Sequence, residues 1–137
     1  MSSLHDIVES FDLLAPEDRL PWLIEFGSSL KPLATALYPL RDAGEYIVHE
    51  CQAPVFLNVS REGVLIHVHG DVPREAPIAR GFVALLQQVF DGASPEVILD
   101  APADMLETLQ IRALLGMQRQ IGLSAIYASL LAQVHTA

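Results

Sequence analysis

Residues 46–59 read Tyr-Ile-Val-His-Glu-Cys-Gln-Ala-Pro-Val-Phe-Leu-Asn-Val and contain the only cysteine of the chain, Cys51. The β-branched and aromatic residues at either end of this stretch are typical of short strands, which we place at residues 46–49 and 55–59. Pro54 cannot donate to a strand ladder and favours an extended conformation at the residue before it. Cys51 is therefore predicted at the tip of a turn between two strands, where a partner can reach it.

A tight hairpin and a third strand follow directly in the sequence. Residues 60–63, Ser-Arg-Glu-Gly, have the composition of a hairpin turn and lead into a predicted strand at residues 64–69. Alternation along the second and third strands predicts one buried face, formed by Val55, Leu57, Val59, Val64, Ile66 and Val68. His67 and His69 then point to the opposite face of the sheet.

Apolar residues at helical spacing predict helices before and after the three strands. The predicted helices cover residues 3–11, 16–30, 77–90 and 117–134, and the last of them is expected to bury Ile121, Ile126, Leu130 and Val134. The predicted fold class is therefore α+β. We expect one domain over residues 1–137, with a small three-stranded antiparallel sheet and helices packed on one face of it.

Composition and charge exclude several classes of function. The net charge is −9, with Lys31 and seven arginines as the only Lys and Arg cations, and such a surface repels nucleic-acid phosphates. Hydrophobic residues make up 51% of the chain, but charges or prolines interrupt every apolar run before it reaches membrane-spanning length. The N-terminus lacks the pattern of a secretory signal. We therefore expect a cytoplasmic protein that binds neither nucleic acid nor membranes.

The chemistry of Cys51 has two interpretations from the sequence alone. A free cysteine is often a small buried hydrophobe, whereas a reactive one needs thiolate character and exposure. The adjacent carboxylate of Glu50 raises the pKa of the thiol, and His49 offsets this effect if it is protonated or hydrogen-bonded to the sulfur. Alternation along a strand would place His49 and Glu50 on opposite faces.

Other chemistry-bearing residues give weaker indications. His67 and His69 can chelate a metal from one strand face, with His49 as a further candidate, but a site needs more ligands, so we predict no metal site. Arg80 and Arg119 each interrupt an apolar helix, and each is expected either to extend from a core face into solvent or to point at an anion. The sequence contains none of the common hydrolase or phosphate-binding motifs.

Taken together, four segments resemble the SufE/CsdE family of cysteine desulfuration proteins. Residues 48–56, Val-His-Glu-Cys-Gln-Ala-Pro-Val-Phe, look like the family's Val-x-Gly-Cys-x-Ser-x-Val-Trp. Residues 77–86 are similar to its Ile-Val-Arg/Lys-Gly-Leu helix start, and Gly92-x-x-Pro95-x-x-Ile98 follows at the expected distance. Residues 119–123, Arg-Gln-Ile-Gly-Leu, resemble the family's Arg-x-x-Gly-Leu.

The chain also departs from that family pattern near the cysteine. Glu50 stands in place of a glycine, which removes backbone freedom and adds a negative charge beside the thiol. Ala53 replaces serine, Phe56 replaces tryptophan, and Met117 stands where proline is common. These departures leave the fold inference unchanged and affect the expected partner and the mobility of the loop.

The resemblance implies a persulfide acceptor that stimulates a pyridoxal-phosphate cysteine desulfurase and passes sulfur to an iron–sulfur scaffold. Cys51 would accept the sulfur, Arg119 would line its pocket, and His49, Glu50, Gln52 and Arg80 would contribute to binding. The protein would be an accessory carrier rather than an enzyme, without a cofactor of its own, and a monomer or weak homodimer. Two alternatives remain open: a metal or iron–sulfur scaffold using Cys51 and the histidines, and a desulfurase-binding module that carries no sulfur.

Overall fold

A computed structural model describes residues 3–137 and shows the predicted α+β fold. Its helices and strands follow one another along the chain as α1 (Leu4–Leu13), α2 (Pro16–Phe26), α3 (Tyr38–Asp42), β1 (Ile47–Val48), β2 (Val55–Glu62), β3 (Leu65–Asp71), α4 (Pro77–Phe90), α5 (Pro95–Leu99), α6 (Met105–Thr108) and α7 (Met117–Thr136). Short 3₁₀ turns occur at Gly27–Ser29, Thr35–Leu37 and Arg112–Leu114. The helix predicted over residues 16–30 is therefore α2 followed by the first of these turns.

Local sequence signals explain where the helices begin. Ser3 caps α1, since its hydroxyl accepts a hydrogen bond from the backbone N–H of Asp6. Proline occupies the first turn of α2 and of α4, where the missing N–H costs nothing and the fixed φ suits a helix. Because α4 and α7 are the longest helices next to the sheet, their positions determine what can lie around Cys51.

The three strands form an antiparallel meander in the order β1-β2-β3. Val48 pairs with Val55, and Glu62 pairs with Leu65, which leaves Gly63 and Val64 as a two-residue turn. Gly63 has φ +63, the left-handed conformation that such a turn requires. The prediction that Val64 begins a strand and faces the core was wrong: its side chain is 69% exposed at the turn, and both strands extend further than expected.

Helices cover one face of this sheet, as predicted. Five of the six side chains expected on the buried face are in the core, where they pack with residues of α4 and α7: Val55, Leu57, Val59, Ile66 and Val68. The other face of β2 is also buried at Phe56 and Asn58, and the Tyr46 ring packs edge-on against Phe56. Ile121 was wrongly expected in the core, since 47% of its surface is exposed.

Side chains from α4, from Asp91 directly after it and from α7 bind backbone groups at both edges of the sheet. β1 is only two residues long, and beyond it the amide of Gln133 accepts from Val59 N and donates to Leu57 O. At the β3 edge, Gln87 donates to Val68 O and Asp91 accepts from Val68 N. Strand edges with unpaired backbone groups invite further pairing, so these side chains protect the sheet and fix the two helices against it.

The helices between residues 3 and 137 include none with the length and apolar character needed to cross a membrane.

Candidate functional site

Cys51 lies in the connection between β1 and β2, as the sequence predicts, but it follows the tip of the turn, and the prediction of an accessible thiol at that tip was wrong. The structure shows a turn directly after β1, in which Cys51 N donates to Val48 O at 3.3 Å. His49 and Glu50 are the exposed central residues of that turn. The expectation that they alternate along a strand was wrong because β1 ends at Val48. We refer to residues 49–54 as the Cys51 loop.

The thiol of Cys51 is turned toward α7 and is half-buried. Its Sγ donates to the backbone oxygen of Gly122 at 3.5 Å. A Cβ atom at position 122 would lie 3.2 Å from Sγ, closer than an ordinary van der Waals contact. The absence of a side chain at Gly122 is therefore what allows the sulfur to approach the helix.

A cavity of about 380 Å³ opens beside this sulfur. The Cys51 loop, the N-terminal end of α4 and the first two turns of α7 form its walls. Its lining residues are Cys51, Gln52, Ala53, Glu75, Ala76, Pro77, Ile78, Ala79, Gln118, Arg119, Gly122 and Leu123. The cavity thus combines one thiol, one cation, one carboxylate and a largely apolar wall.

Burial and the neighbouring charge keep the thiol protonated in this conformation. Desolvation by burial, and secondarily the negative charge of Glu50, raise the pKa of Cys51 from 9.0 to about 11. Glu50 acts in the direction expected from the sequence. At neutral pH the sheltered Cys51 is therefore a weak nucleophile, because thiolate is the reactive form.

The structure brings some of the sequence-predicted residues together and separates others. Arg119 and Gln52 line the cavity with Cys51, and both side chains are exposed. Arg80 is not among the lining residues: its guanidinium donates to Gly27 O at 3.1 Å and to Val72 O at 2.7 Å. These two bonds tie α4 to the end of α2 and to the segment after β3.

Two contacts of the Cys51 loop had no individual signal in the sequence. Gly122 appears in the quoted pattern, but its contact with Cys51 spans 71 residues along the chain. Gln118, which lines the same cavity, donates from Nε2 to the backbone oxygen of Glu50 at 3.3 Å. Neither contact produces a local pattern of residue types, so only the packing of α7 against the loop shows them.

The histidines of β3 form a separate cluster of hydrogen bonds and charges. The rings of His67 and His69 lie 6.5 Å apart, and His69 Nε2 is 2.9 Å from the Ser60 hydroxyl. His67 Nδ1 lies 3.5 Å from a carboxylate oxygen of Asp91. Residues 3–137 contain no group of three or more His, Cys, Asp or Glu side chains placed to hold a metal ion. The metal-scaffold alternative therefore finds no support in this geometry.

Comparison with known proteins decides the family. The model of the SufE family, described as an Fe-S metabolism associated domain, matches residues 5–134. The chain belongs to the SufE family. Membership places this protein in iron–sulfur metabolism and agrees with the resemblance of its Cys51, Arg80 and Arg119 segments.

Similar proteins match between 80% and 98% of this chain. An uncharacterized SufE-like protein of Mycobacterium tuberculosis is 32% identical over 126 residues, which are 91% of this chain and 86% of that protein. A hypothetical protein from Thermus thermophilus has a solution structure with a TM-score of 0.81 and 31% identity, covering 98% of this chain and 94% of that one. The chloroplastic quinolinate synthase of Nicotiana tabacum is 28% identical over 110 residues, only 15% of its length.

Proposed function

We propose that this SufE-family protein accepts persulfide sulfur at Cys51 from a cysteine desulfurase and carries it to an iron–sulfur assembly scaffold. The observation that supports this most is the position of Cys51. The only cysteine of the chain sits in a loop, at the wall of an open cavity, with its sulfur sheltered against Gly122. A carrier thiol needs such shelter when idle, because thiolates and persulfides oxidise readily.

The sulfur transfer is an exchange between two sulfur nucleophiles. The Cys51 thiolate attacks the terminal sulfur of the persulfide on the desulfurase. A new S–S bond forms at Cys51, the S–S bond on the desulfurase breaks, and its cysteine leaves as thiolate. No electrons are gained or lost overall. The proton that Cys51 releases on ionising can be taken up by the departing thiolate.

This chemistry requires the Cys51 loop to move. In the sheltered position the pKa of Cys51 is about 11, so little thiolate exists at neutral pH. Movement of the loop away from Gly122 removes the burial that is the main cause of that high pKa. Docking on the desulfurase would therefore both expose the sulfur and increase its nucleophilicity.

When the Cys51 loop closes again after transfer, the cavity provides a place for the transferred sulfur. Arg119 lines it, and a guanidinium within reach stabilises an anionic sulfur more than a neutral one. Gln52 lies in the same loop as Cys51, and His49 and Glu50 are exposed beside it, so these residues would contact the partner. Arg119→Ala should therefore accept sulfur more slowly than wild type.

Intact-protein mass spectrometry after incubation with a cysteine desulfurase and L-cysteine tests the proposal directly. Wild type should gain the mass of one or more sulfur atoms, and Cys51→Ser should gain none. Addition of dithiothreitol should remove the added mass, since a persulfide is reducible. Equal sulfur gain on wild type and Cys51→Ser would show that Cys51 is not the acceptor.

The same experiment distinguishes the carrier from a module that only binds a desulfurase. That alternative is favoured by the negative charge of Glu50 beside the thiol and by the raised pKa of Cys51. Binding to the desulfurase without sulfur gain would support it. A large increase in sulfur acceptance by Glu50→Gly would then show that the site has lost a function that glycine permits.

A further inference from the structure

The Cys51 loop is attached to α7 by two side-chain contacts on adjacent helical turns. Gln118 Nε2 donates to Glu50 O at 3.3 Å, and Cys51 Sγ donates to Gly122 O at 3.5 Å. Residues 118 and 122 are four apart and so lie on the same face of the helix. One face of α7 therefore contacts both the backbone of Glu50 and the thiol of Cys51.

Few other hydrogen bonds hold this loop in place. Within residues 3–137, the bond from Cys51 N to Val48 O is the one backbone–backbone bond that begins or ends in residues 49–54 outside the strand pairing. The thiol is a weak donor, so its bond to Gly122 adds little. The amide of Gln118 is the stronger of the two donors, and a segment with so few bonds opens at low free-energy cost.

The contact from Gln118 is suited to a reversible role. It is exposed to solvent, and it is made to a backbone oxygen, so it does not depend on the side chain at position 50. Gln118 also lines the cavity that Cys51 would leave on opening. Its side chain therefore meets the loop at the point where the loop would separate from α7.

We propose that Gln118 is a positioning residue that holds the Cys51 loop closed against α7 and thereby limits the reactivity of Cys51. Its significance for sulfur transfer rests on the carrier function proposed above. The restraint itself does not depend on the carrier function, because it is a property of this chain alone and can be measured without a desulfurase.

The test is the rate at which iodoacetamide alkylates Cys51 in Gln118→Met. Methionine keeps the length and approximate volume of glutamine but has no N–H, so the bond to Glu50 O is lost. Loss of one net hydrogen bond should increase opening, and hence alkylation at neutral pH, roughly two- to tenfold. Gln88→Met is the matched control, since Gln88 lies on α4 outside the residues that line the cavity.

The pH dependence of alkylation separates a change of loop position from a general loss of structure. In wild type the rate should rise with an apparent pKa near that of the sheltered thiol, about 11. In Gln118→Met the apparent pKa of alkylation should shift toward 9.0, the ordinary value for a solvated thiol. The melting temperatures of Gln118→Met and wild type should be similar, because the side chain is exposed.

An unchanged or slower rate in Gln118→Met, with an unchanged pH profile, would overturn the proposal. So would an equal increase in Gln88→Met, which would indicate nonspecific loosening. If Gln118→Met alkylates faster but neither protein accepts sulfur from a desulfurase, the restraint stands and the carrier function fails. The two proposals therefore fail on different measurements.

Discussion

Replacing Gly122 with alanine is the sharpest perturbation of the Cys51 site. The new Cβ would lie 3.2 Å from Cys51 Sγ, 3.6 Å from Cys51 Cα and 3.7 Å from Glu50 O. The contact with Sγ is too short by a few tenths of an ångström, so either the loop or the helix must move. The loop should yield, because α7 is a 20-residue helix packed on β2, whereas residues 49–54 have few bonds.

The expected effects of Gly122→Ala on stability and on reactivity have different physical causes. Alanine stabilises a helix interior by about 1 kcal/mol relative to glycine. Displacement of the loop offsets part of this gain, so the free energy of unfolding should be unchanged or should rise by up to about 1 kcal/mol. The overlap between the new Cβ and Sγ should strain the closed loop by about 1 kcal/mol, and this strain should expose Cys51 and accelerate its alkylation roughly two- to tenfold.

Two measurements on Gly122→Ala test this reasoning, namely urea unfolding and alkylation of Cys51 at neutral pH. Gly116→Ala is the matched control, since a Cβ there meets no atom within 4 Å. The reasoning predicts faster alkylation in Gly122→Ala without lower stability, and an unchanged alkylation rate in Gly116→Ala. Alkylation at the wild-type rate, or a loss of several kcal/mol of stability, would show that the helix rather than the loop yields.

Three further outcomes follow from the charges and hydrogen bonds of the structure. Glu50→Gln should lower the pKa of Cys51 below about 11 but keep it above 9.0, because burial is the larger cause of the raised pKa. Thiolate absorbance as a function of pH measures this pKa. An unchanged pKa would exclude the charge of Glu50 as a cause. The stability of wild type should be independent of this thiol below about pH 9 and should decline as the pH rises toward about 11, because the unfolded thiol ionises first. Cys51→Ser should lack that part of the decline in thermal melts, and identical curves would contradict the raised pKa. Gln133→Leu leaves Val59 N and Leu57 O without their partner and should cost about 2–4 kcal/mol in chemical denaturation, whereas Gln88→Leu should cost less than about 1 kcal/mol.

Local patterns in the sequence were sufficient to predict the α+β fold. Proline and glycine mark most of the element boundaries, and alternation in β2 and β3 correctly assigned Val55, Leu57, Ile66 and Val68 to the core. Two side chains were misplaced for a local reason. Val64 lies in the turn rather than in a strand, and Ile121 lies on an exposed side of α7 although Gly122 and Leu123 directly after it are buried. Ile121 precedes Ile126 by five residues, whereas residues on one helix face are three or four apart.

The positions of the candidate site residues were predicted in part. Pro54 and the apolar runs around it placed Cys51 in a loop, and the Arg119 segment was recognised by resemblance. The structure places Arg119 and Gln52 at the cavity, while Arg80 instead donates to two backbone carbonyls. A guanidinium can bind any oxygen within reach, so the partner of an arginine depends on which chain segments fold beside it.

By itself, the sequence determined that the chain has an α+β fold, that its one thiol lies between two strands, and that a carboxylate precedes that thiol. Only the tertiary structure decided that the sulfur turns inward against Gly122, that Gln118 contacts the loop, and that a cavity opens beside both. Those features depend on residues about 70 positions apart being brought within hydrogen-bonding distance. Burial, which is the main cause of the raised pKa of Cys51, exists only once α7 has packed across the loop.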